Sequence, residues 1–331
     1  MQGVFRRIGA LSIAWLSMVW LAFPTQAKAD WRLDVISAPG AITAVETVDD
    51  EALIAIGQSW FRFAGEPIRL IPAPAPHRVV PPLGLPDARI ATGRESFTRA
   101  WLVEPTTRYR HGVLGDAIEA GGLAIEYRDQ SGQTLKLGTD AVFEDIEPRV
   151  ARIGGAERIV LVKSYLDRGA AVAIIDPRSA AIIAETPPIG NANAWRNPAG
   201  IADYNGDGAT DIAIVRQPHV VGRLELWSFI DGKLKKTVEV ADVCNHVIGS
   251  RATRLSATAD FDGDGRPDLA VPGFDRRSLR LIAFAPSVHD IARVALPARV
   301  VTNLALVKLN GRPAILAGLE NGQLVLVRDR S

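Results

Sequence analysis

The sequence predicts an all-β protein built from repeated four-stranded units. Three observations predict this class: two acidic, glycine-containing loops with the same spacing, short apolar runs that recur 46 to 57 residues apart, and no sustained helical period after residue 29. Short runs rich in β-branched residues and bounded by turn residues are typical of strands. Self-similarity at a roughly constant period indicates a repeat architecture, so we expect one repeat domain rather than two unrelated domains.

The two acidic loops share one pattern of oxygen-bearing side chains. Positions 1, 3, 5 and 9 are Asp or Asn, and positions 4 and 6 are Gly. Ca²⁺ prefers about six to eight oxygen ligands, which alternate residues of a tightly wound loop can supply. The two glycines permit the positive φ angles of such a loop, and the carbonyl at position 7 is a natural backbone ligand. The predicted ligands are Asp203, Asn205, Asp207, Ala209 and Asp211 for one Ca²⁺, and Asp260, Asp262, Asp264, Arg266 and Asp268 for a second.

Neither loop is an EF-hand, because an EF-hand needs Glu at position 12, where this chain has Ile214 in one loop and Val271 in the other. Apolar runs follow both loops, so each loop is predicted to join two strands. The alternative is an acidic solvated turn, since Asp, Asn and Gly are ordinary turn residues. Four matched oxygen positions, found twice in the same context, favour calcium with a structural role and no catalytic residues.

With the strands that follow them, the two loops resemble the FG-GAP or VCBS repeats of integrin α-subunits and of many secreted bacterial proteins. The resemblance implies a β-propeller, often seven-bladed, with calcium loops between the first two strands of a blade. The Phe-Gly and Gly-Ala-Pro signatures of the family are not intact, and Val271-Pro272-Gly273 is the nearest remnant. We therefore expect an all-β propeller, seven-bladed, that spans residues 30–331.

The strands of this propeller are predicted from the repeat spacing. Comparable apolar strands start at residues 159, 212, 269 and 315, near the ~40–50-residue period of a four-stranded blade. In the N-terminal half, strands at 52–56, 60–63 and 68–71 are expected to form one blade. A proline-rich connector over 72–86 cannot be a central strand, because Pro has no amide donor. Residues 87–146 are expected to hold two blades, with a clear hairpin over 122–137.

The last repeat ends soon after its third strand, so another segment must complete that blade. An open blade would leave an unpaired sheet edge, which closed propellers avoid. The alternating segment 31–36 is the candidate for the missing outer strand. The sequence therefore predicts that the propeller is closed by an N-terminal strand.

Residues 1–29 are predicted to be a signal peptide. Arg6 and Arg7 precede an apolar stretch over 8–23, and Ala27-Lys28-Ala29 has the pattern of a cleavage site. The apolar stretch is shorter than the ~20 residues of a membrane span. We expect cleavage after Ala29, no membrane span in the product, and a periplasmic or extracellular location. A retained N-terminal anchor is the alternative.

Composition limits the classes of partner. The chain has 38 basic and 37 acidic residues, and removal of the signal peptide leaves 35 and 37. This near-neutral balance without a basic block argues against a nucleic-acid partner. Cys244 is the only cysteine, so no internal disulfide can form, and a buried thiol is favoured over a zinc ligand shared with His246. We expect a monomer.

Three loop segments carry the residues that are candidates for ligand binding: His111, Tyr165, Asp167, Arg168, Asn193 and Trp195. Exposed Tyr, Trp and Arg are typical binding anchors. The alternatives without a binding function are a packed or hydrogen-bonded loop histidine for His111, a local turn or surface ion pair for Asp167 and Arg168, and inter-blade packing for Trp195.

Three functions follow from these candidates. The preferred one is a non-catalytic interaction module or scaffold with an unknown protein or saccharide partner. A lectin-like carbohydrate binder is the second, and it would need Trp195 exposed in a concave site. A hydrolase that uses His111 and Asp116 with Tyr165 and Asp167 is the third, and it would need His111 to converge with a carboxylate at a pocket.

Overall fold

The computed structural model describes residues 30–330, which form an all-β fold. In chain order the strands are β1 (Trp31–Ile36), β2 (Ile42–Val48), β3 (Glu51–Ile56), β4 (Ser59–Gly65), β5 (Ile68–Ala73), β6 (Ala91–Thr92), β7 (Arg99–Thr106), β8 (Glu119–Glu126), β9 (Gly132–Lys136), β10 (Ala141–Phe143), β11 (Arg149–Ile153), β12 (Ala156–Tyr165), β13 (Gly169–Asp176), β14 (Ala181–Glu185), β15 (Arg196–Ala202), β16 (Asp211–Arg216), β17 (Arg223–Ile230), β18 (Lys233–Val240), β19 (Ala257–Ala259), β20 (Asp268–Pro272), β21 (Ser278–Ala283), β22 (His289–Ala295), β23 (Ala305–Leu309), β24 (Arg312–Gly318) and β25 (Leu324–Asp329). The predicted signal peptide, residues 1–29, lies outside the described residues.

The strands form antiparallel four-stranded units. Unit 1 is β2–β5, unit 4 is β15–β18, unit 5 is β19–β22, and unit 6 is β23–β25 with β1. A nine-stranded sheet contains unit 2 (β6–β9) and unit 3 (β11–β14), and β10 bridges β8 and β12 between them. The predicted all-β propeller architecture is therefore confirmed. Separately, no helix in residues 30–330 has the length and apolar character that a membrane crossing requires.

The predicted number of seven blades is not confirmed, because the described residues form six four-stranded units. The difference lies in the N-terminal half, where 87–146 provides one unit and the bridging strand β10 instead of two blades. The proline-rich connector and the loop over 107–118 take up chain that a further blade would need. The predicted hairpin over 122–137 is present as β8 and β9.

The predicted closing strand is present. β1 pairs with β25 along its whole length, from Trp31 opposite Asp329 to Ile36 opposite Leu324. The Trp31 ring also packs edge-on against Phe261 of unit 5, with ring centroids 5.6 Å apart. An N-terminal strand thus completes the C-terminal unit and removes its open edge.

Neighbouring units are joined by shared hydrophobic clusters. Each cluster combines buried side chains of two consecutive units, as expected when sheets pack face to face around a ring. The pairs are Leu123 with Leu161 (units 2 and 3), Val160 with Ile212 (units 3 and 4), Val215 with Leu269 (units 4 and 5), Leu281 with Ile315 (units 5 and 6), and Leu326 with Ile54 (units 6 and 1). Among the described residues, no such cluster joins units 1 and 2.

Candidate functional site

The two acidic loops occupy equivalent places in consecutive units. Residues 203–210 join β15 to β16, and residues 260–267 join β19 to β20, so each loop links the first two strands of its unit. The predicted winding is present, because Gly206 and Gly208 have φ of 73° and 86°, and Gly263 and Gly265 have φ of 80° and 86°. Only glycine adopts such angles without strain, which accounts for glycine at positions 4 and 6.

Asp203 organises the first loop. Its carboxylate accepts hydrogen bonds from the backbone N–H groups of Gly206, Asp207 and Gly208 at 2.8, 3.1 and 2.9 Å. The next two acceptors act locally: Asn205 Oδ1 accepts from the Asp207 N–H at 2.9 Å, and Asp207 Oδ1 from the Ala209 N–H at 2.8 Å. The loop backbone therefore wraps around its own side-chain oxygens.

Asp211 closes the first loop from inside the sheet. It is fully buried, and its carboxylate accepts from the Tyr204 N–H at 3.1 Å and from the Ser228 hydroxyl. Burial raises the pKa of Asp211, although these two bonds oppose the shift. A buried carboxylate at position 9 therefore faces the same loop as Asp203.

The second loop repeats this arrangement. Asp260 accepts from the Gly263 and Gly265 N–H groups at 2.6 and 2.9 Å, and buried Asp268 accepts from the Phe261 N–H at 2.8 Å. One carboxylate oxygen from each of Asp260, Asp262 and Asp268 lies within 4.8 Å of the others. Two oxygens that bind one ion at about 2.4 Å can lie no more than about 4.8 Å apart, so this spacing fits Ca²⁺.

The electrostatics of the second loop also suit a cation. Burial, and then the charges of Asp262, Asp264 and Asp260, raise the pKa of Asp268 to about 7. The Arg266 side chain, which the sequence did not single out, points at the carboxylate of Asp264, with Nη1 3.4 Å from Oδ2. One guanidinium for four loop carboxylates leaves a negative excess that a divalent cation could neutralise.

The three loop segments proposed for ligand binding lie on the opposite face from the acidic loops. Because neighbouring strands are antiparallel, successive loops alternate between the two ends of a unit. Backbone hydrogen bonds join the loops of this face: Gln217 N donates to Trp195 O at 2.9 Å, Gly190 N to Arg168 O at 2.8 Å, and Gly249 N to the carbonyl of Val113 at 2.9 Å. The structure therefore separates the two sets of predicted site residues.

His111 meets a carboxylate that the sequence did not identify. Its Nδ1 lies 2.6 Å from Oε1 of Glu144, which is fully buried at the end of β10. The Ser164 hydroxyl donates to the other oxygen of Glu144 and not to His111. Burial raises the pKa of Glu144 despite both bonds. Serine, histidine and acid therefore do not form a nucleophile–base–acid relay.

A second buried carboxylate lies at the start of β8. Glu119 is 2% exposed, and no cation of the described residues pairs with it. Burial, together with the charges of Glu144 and Asp116, raises the pKa of Glu119 to about 10, so this carboxyl is neutral at pH 7. No motif marked Glu119, because its surroundings come from loops distant in the sequence.

Tyr165 and its neighbours divide between the interior and the surface. Tyr165 is buried, and its hydroxyl donates to Glu185, whereas Asp167 and Arg168 are exposed. The Arg168 guanidinium lies over the Tyr165 ring at 4.0 Å and near Asp167 at 3.5 Å. The surface ion pair of Asp167 and Arg168, which was the alternative to ligand binding, is therefore present.

Trp195 packs inside the loops of this face. It is 3% exposed, lies parallel to the His219 ring at 6.3 Å, and meets the His246 ring edge-on at 4.7 Å. The packing alternative for Trp195 is the arrangement that the structure has, while nearby Asn193 is exposed. Cys244 is buried, as expected for a packed thiol.

The two histidines form a directional hydrogen-bond chain. His246 Nε2 lies 2.8 Å from the Ser250 carbonyl, which can only accept, so this nitrogen carries the proton. His246 Nδ1 is then the acceptor for His219 Nε2–H at 3.0 Å. The His246 ring is therefore neutral in this arrangement. Burial, and then the charge of His219, lowers the pKa of His246 to about 3, and burial with Arg276 lowers that of His219 to about 4.

Comparisons with known proteins found one matching repeat family and several similar solved structures. Residues 203–271 match the FG-GAP-like repeat family. Similar solved structures include the Myceliophteria thermophila Cps50 (Swd1) β-propeller domain, at 10% identity and TM-score 0.48 over 89% of this chain and 98% of that one. Others are a catalytically inactive virginiamycin B lyase from Staphylococcus aureus with quinupristin (10%, 0.46, 90% and 99%) and BBS1N in complex with ARL6DN (12%, 0.43, 91% and 97%).

No curated protein matches the sequence, and the structural likenesses are too distant to transfer a function. The repeat match covers both acidic loops and the strands that follow them, which confirms the resemblance on the residues that carry it. The chain is an all-β propeller protein with FG-GAP-like repeats over residues 203–271.

Proposed function

We propose that this chain is an exported, calcium-stabilised β-propeller that acts as a non-catalytic interaction module or scaffold. The observation that carries the calcium part is the cluster of Asp260, Asp262 and Asp268, whose oxygens lie within 4.8 Å of one another. The same loop geometry recurs in unit 4, so two Ca²⁺ sites are proposed. Export would follow from cleavage after Ala29 and would place the protein in the periplasm or outside the cell.

The proposed role of the ions is to stabilise two strand-to-strand turns. Without a cation, the clustered carboxylates repel one another, and some must bind protons instead. Extracellular calcium modules have Kd values near ~10⁻⁴–10⁻³ M. At ~1 mM Ca²⁺ and a Kd of ~0.1 mM, each site would stabilise the fold by ~1.4 kcal/mol.

The proposed interaction role rests on the repeat fold and on the exposed loops opposite the acidic face. Exposed loops on a rigid scaffold commonly carry binding residues, and Asp167, Arg168 and Asn193 are of this kind. The lectin-like alternative loses its principal support because Trp195 is buried. The hydrolase alternative has a histidine–carboxylate contact, but Ser164 donates to the acid instead of the histidine.

Thermal unfolding in chelator and in millimolar Ca²⁺ tests the calcium proposal. We expect the melting temperature to rise with Ca²⁺ by several degrees, since ~1 kcal/mol shifts the melting temperature of a protein of this size by ~2 °C and each of the two sites would contribute ~1.4 kcal/mol. Asp207→Ala and Asp264→Ala should each remove part of that rise. Asp231→Ala is the matched control, because Asp231 is an exposed acid in an ordinary hairpin turn.

The outcome that would contradict calcium stabilisation is a melting temperature that Ca²⁺ leaves unchanged in all four proteins. The acidic loops would then be solvated turns. Cleavage at Ala29 is a separate question, which mass spectrometry of the exported product answers.

A further inference from the structure

The junction between units 1 and 2 contains a cavity where the other junctions contain a hydrophobic cluster. The cavity has a volume of about 460 Å³. One wall is β2, over residues 46–48, and the other is formed by residues 76–80 of the proline-rich connector and by residues 86–90 at and after its end. Glu147 and Arg254 also line it. The connector, which the calcium proposal leaves without a role, is therefore one side of a cavity.

The charged groups of this cavity are not balanced. Arg78 and Arg89 both approach Glu46, at 3.6 and 3.2 Å. Arg254 holds Glu147 bidentately at 2.5 and 2.7 Å, and Arg89 lies 3.7 Å from the same carboxylate. Three guanidinium groups thus share two carboxylates.

The remaining charged residues of the lining do not offset this excess. Arg99 is paired with Glu126, at 2.6 Å, and Asp87 is paired with Arg251, at 3.0 Å. Asp116 also binds Arg251, at 2.9 Å, but neither of these two residues lines the cavity. The lining itself holds four guanidinium groups and three carboxylates, an excess of one positive charge.

Arg78 is the guanidinium with the fewest partners. Within residues 30–330 it makes no hydrogen bond, and its only ionic neighbour, Glu46, already accepts a hydrogen bond from Arg89. The side chain is 62% exposed, so it can reorient toward a ligand without loss of packing. Arg offers a planar pair of N–H donors that matches a carboxylate.

The remaining lining is mostly apolar, with Thr47, His77 and Thr92 as its uncharged or weakly basic polar side chains. Val48, Val79, Val80 and Ile90 line it, and Val79 and Val80 are 53% and 69% exposed. Adjacent exposed valines beside an arginine form a surface that can cover an alkyl chain. Small-molecule sites typically combine such an apolar lining with a few polar groups that orient the ligand.

We propose that this cavity binds a small organic molecule with a carboxylate head and a short apolar body. The carboxylate would lie between Arg78 and Arg89, where it supplies the missing negative charge. The apolar body would lie along Val79 and Val80. A volume of about 460 Å³ is within the ~300–1,000 Å³ range of small-ligand pockets.

Hexanoate is the probe for this proposal, and hexan-1-ol and inorganic phosphate are the comparison ligands. Binding to the purified protein is measured by ligand-observed NMR in low-chloride buffer. Hexanoate should bind, and Arg78→Gln should weaken its binding by about tenfold, the order of one hydrogen bond to a charged group. Arg178→Gln is the matched control, because it removes an exposed arginine outside the cavity, and it should leave the Kd unchanged.

A second variant tests the contribution of the apolar body of the ligand separately from that of its carboxylate head. Val80→Ser leaves every charge in place and should weaken hexanoate several-fold without changing the weak binding of phosphate. The proposal is overturned if hexanoate does not bind at millimolar concentration, or if Arg178→Gln weakens it as much as Arg78→Gln. Equal affinity for hexan-1-ol, or phosphate bound as tightly as hexanoate, would also overturn it.

Discussion

The loop between the first two strands of a unit is stabilised in two different ways in this molecule. In unit 2, this loop spans residues 93–98, and one carboxylate from the neighbouring unit, Glu157 of β12, accepts from its backbone. The bonds come from the N–H groups of Arg94, Glu95 and Ser96, at 2.7, 3.2 and 2.8 Å, and from the Ser96 hydroxyl at 2.9 Å. In units 4 and 5, the equivalent loops carry their own carboxylates and face them toward one another.

The pKa values of the two kinds of loop move in opposite directions. Burial opposes the charge of Glu157, but the hydrogen bonds from Ser96 and Arg94 outweigh it and lower the pKa of this carboxyl. Burial and three neighbouring carboxylates raise that of Asp268 to about 7. A single carboxylate among N–H donors is stable without a cation, whereas clustered carboxylates need a cation or protons.

The largest expected effect is that of Glu157→Ala. The change leaves several loop N–H groups without an acceptor, and we expect the free energy of unfolding to fall by about 3 kcal/mol. The loss should be the same in chelator and in Ca²⁺. Urea unfolding checks this, with Glu95→Ala as a control on an exposed acid of the same loop, expected within about 0.5 kcal/mol of wild type. If the variant lost stability only in chelator, the loop of unit 2 would depend on a cation in the same way as the acidic loops, and the proposed difference between the two kinds of loop would be wrong.

The second effect is a pH dependence that calcium reverses. Because the folded-state pKa of Asp268 is raised, its contribution to stability is present below its unfolded pKa, near 3.8, and is lost as pH rises to about 7. In chelator, stability should therefore fall by about 2 kcal/mol between pH 5 and pH 8. In Ca²⁺ it should rise instead, since the ion binds deprotonated carboxylates.

Asp268→Asn is the variant that isolates this effect. It should flatten the chelator profile, because the amide does not titrate. Guanidinium unfolding at four pH values, with and without Ca²⁺, is the measurement. Parallel profiles in the two conditions would mean that no ion binds the loop.

The acidic loops could be predicted from sequence because all their proposed ligands are local. Nine consecutive residues determine the spacing of the oxygen-bearing side chains and the positions of the glycines. Each predicted residue lies in its loop or at the first position of the strand that follows. The closing strand could also be predicted, because an incomplete last blade and an alternating segment at 31–36 admit one simple pairing. Short-range chemistry and edge pairing therefore suffice for this half of the molecule.

The other half depends on contacts between distant residues, which a single sequence does not reveal. Glu157 meets a loop about 60 residues earlier, and Glu144 joins His111 and Ser164 from three different segments. Trp195 is of a residue type that is common at binding sites, but in this structure it is buried like a core residue. The described residues form one unit fewer than the repeat period predicts, because β10 and the connector occupy chain that the period assigns to a blade.

The third effect is a difference in how the stability of the two faces depends on pH. The pKa values of His219 and His246 are lowered, so their contribution to stability is present above the unfolded value near 6.5 and is lost as pH falls toward 4. Acid should therefore destabilise this face at pH 5 by about 2 kcal/mol through buried His246, and by less through half-buried His219, while it stabilises the calcium-free loops.

Imidazole NMR measures the histidine pair directly, because the chain has five histidines. Two of them should titrate below pH 5 and carry the proton on Nε2. His246→Gln should remove one low-pH titration and shift the other toward its ordinary pKa. Two histidines that titrate near 6.5 instead would show that the pair is open to solvent, and the acid sensitivity would disappear with it.

The smallest effects are expected at the exposed residues opposite the acidic loops. Asp167→Ala and Asn193→Gly remove exposed side chains, and glycine tolerates the φ of 57° that Asn193 has. Each should therefore change the free energy of unfolding by less than about 0.5 kcal/mol. Neither should alter the shift in melting temperature that Ca²⁺ produces, because the two faces share no charged contact among these residues. A reduced calcium shift in either variant would show that the faces are coupled through the sheets. An unchanged shift would show that the effect of Ca²⁺ on stability does not depend on the side chains of the opposite face.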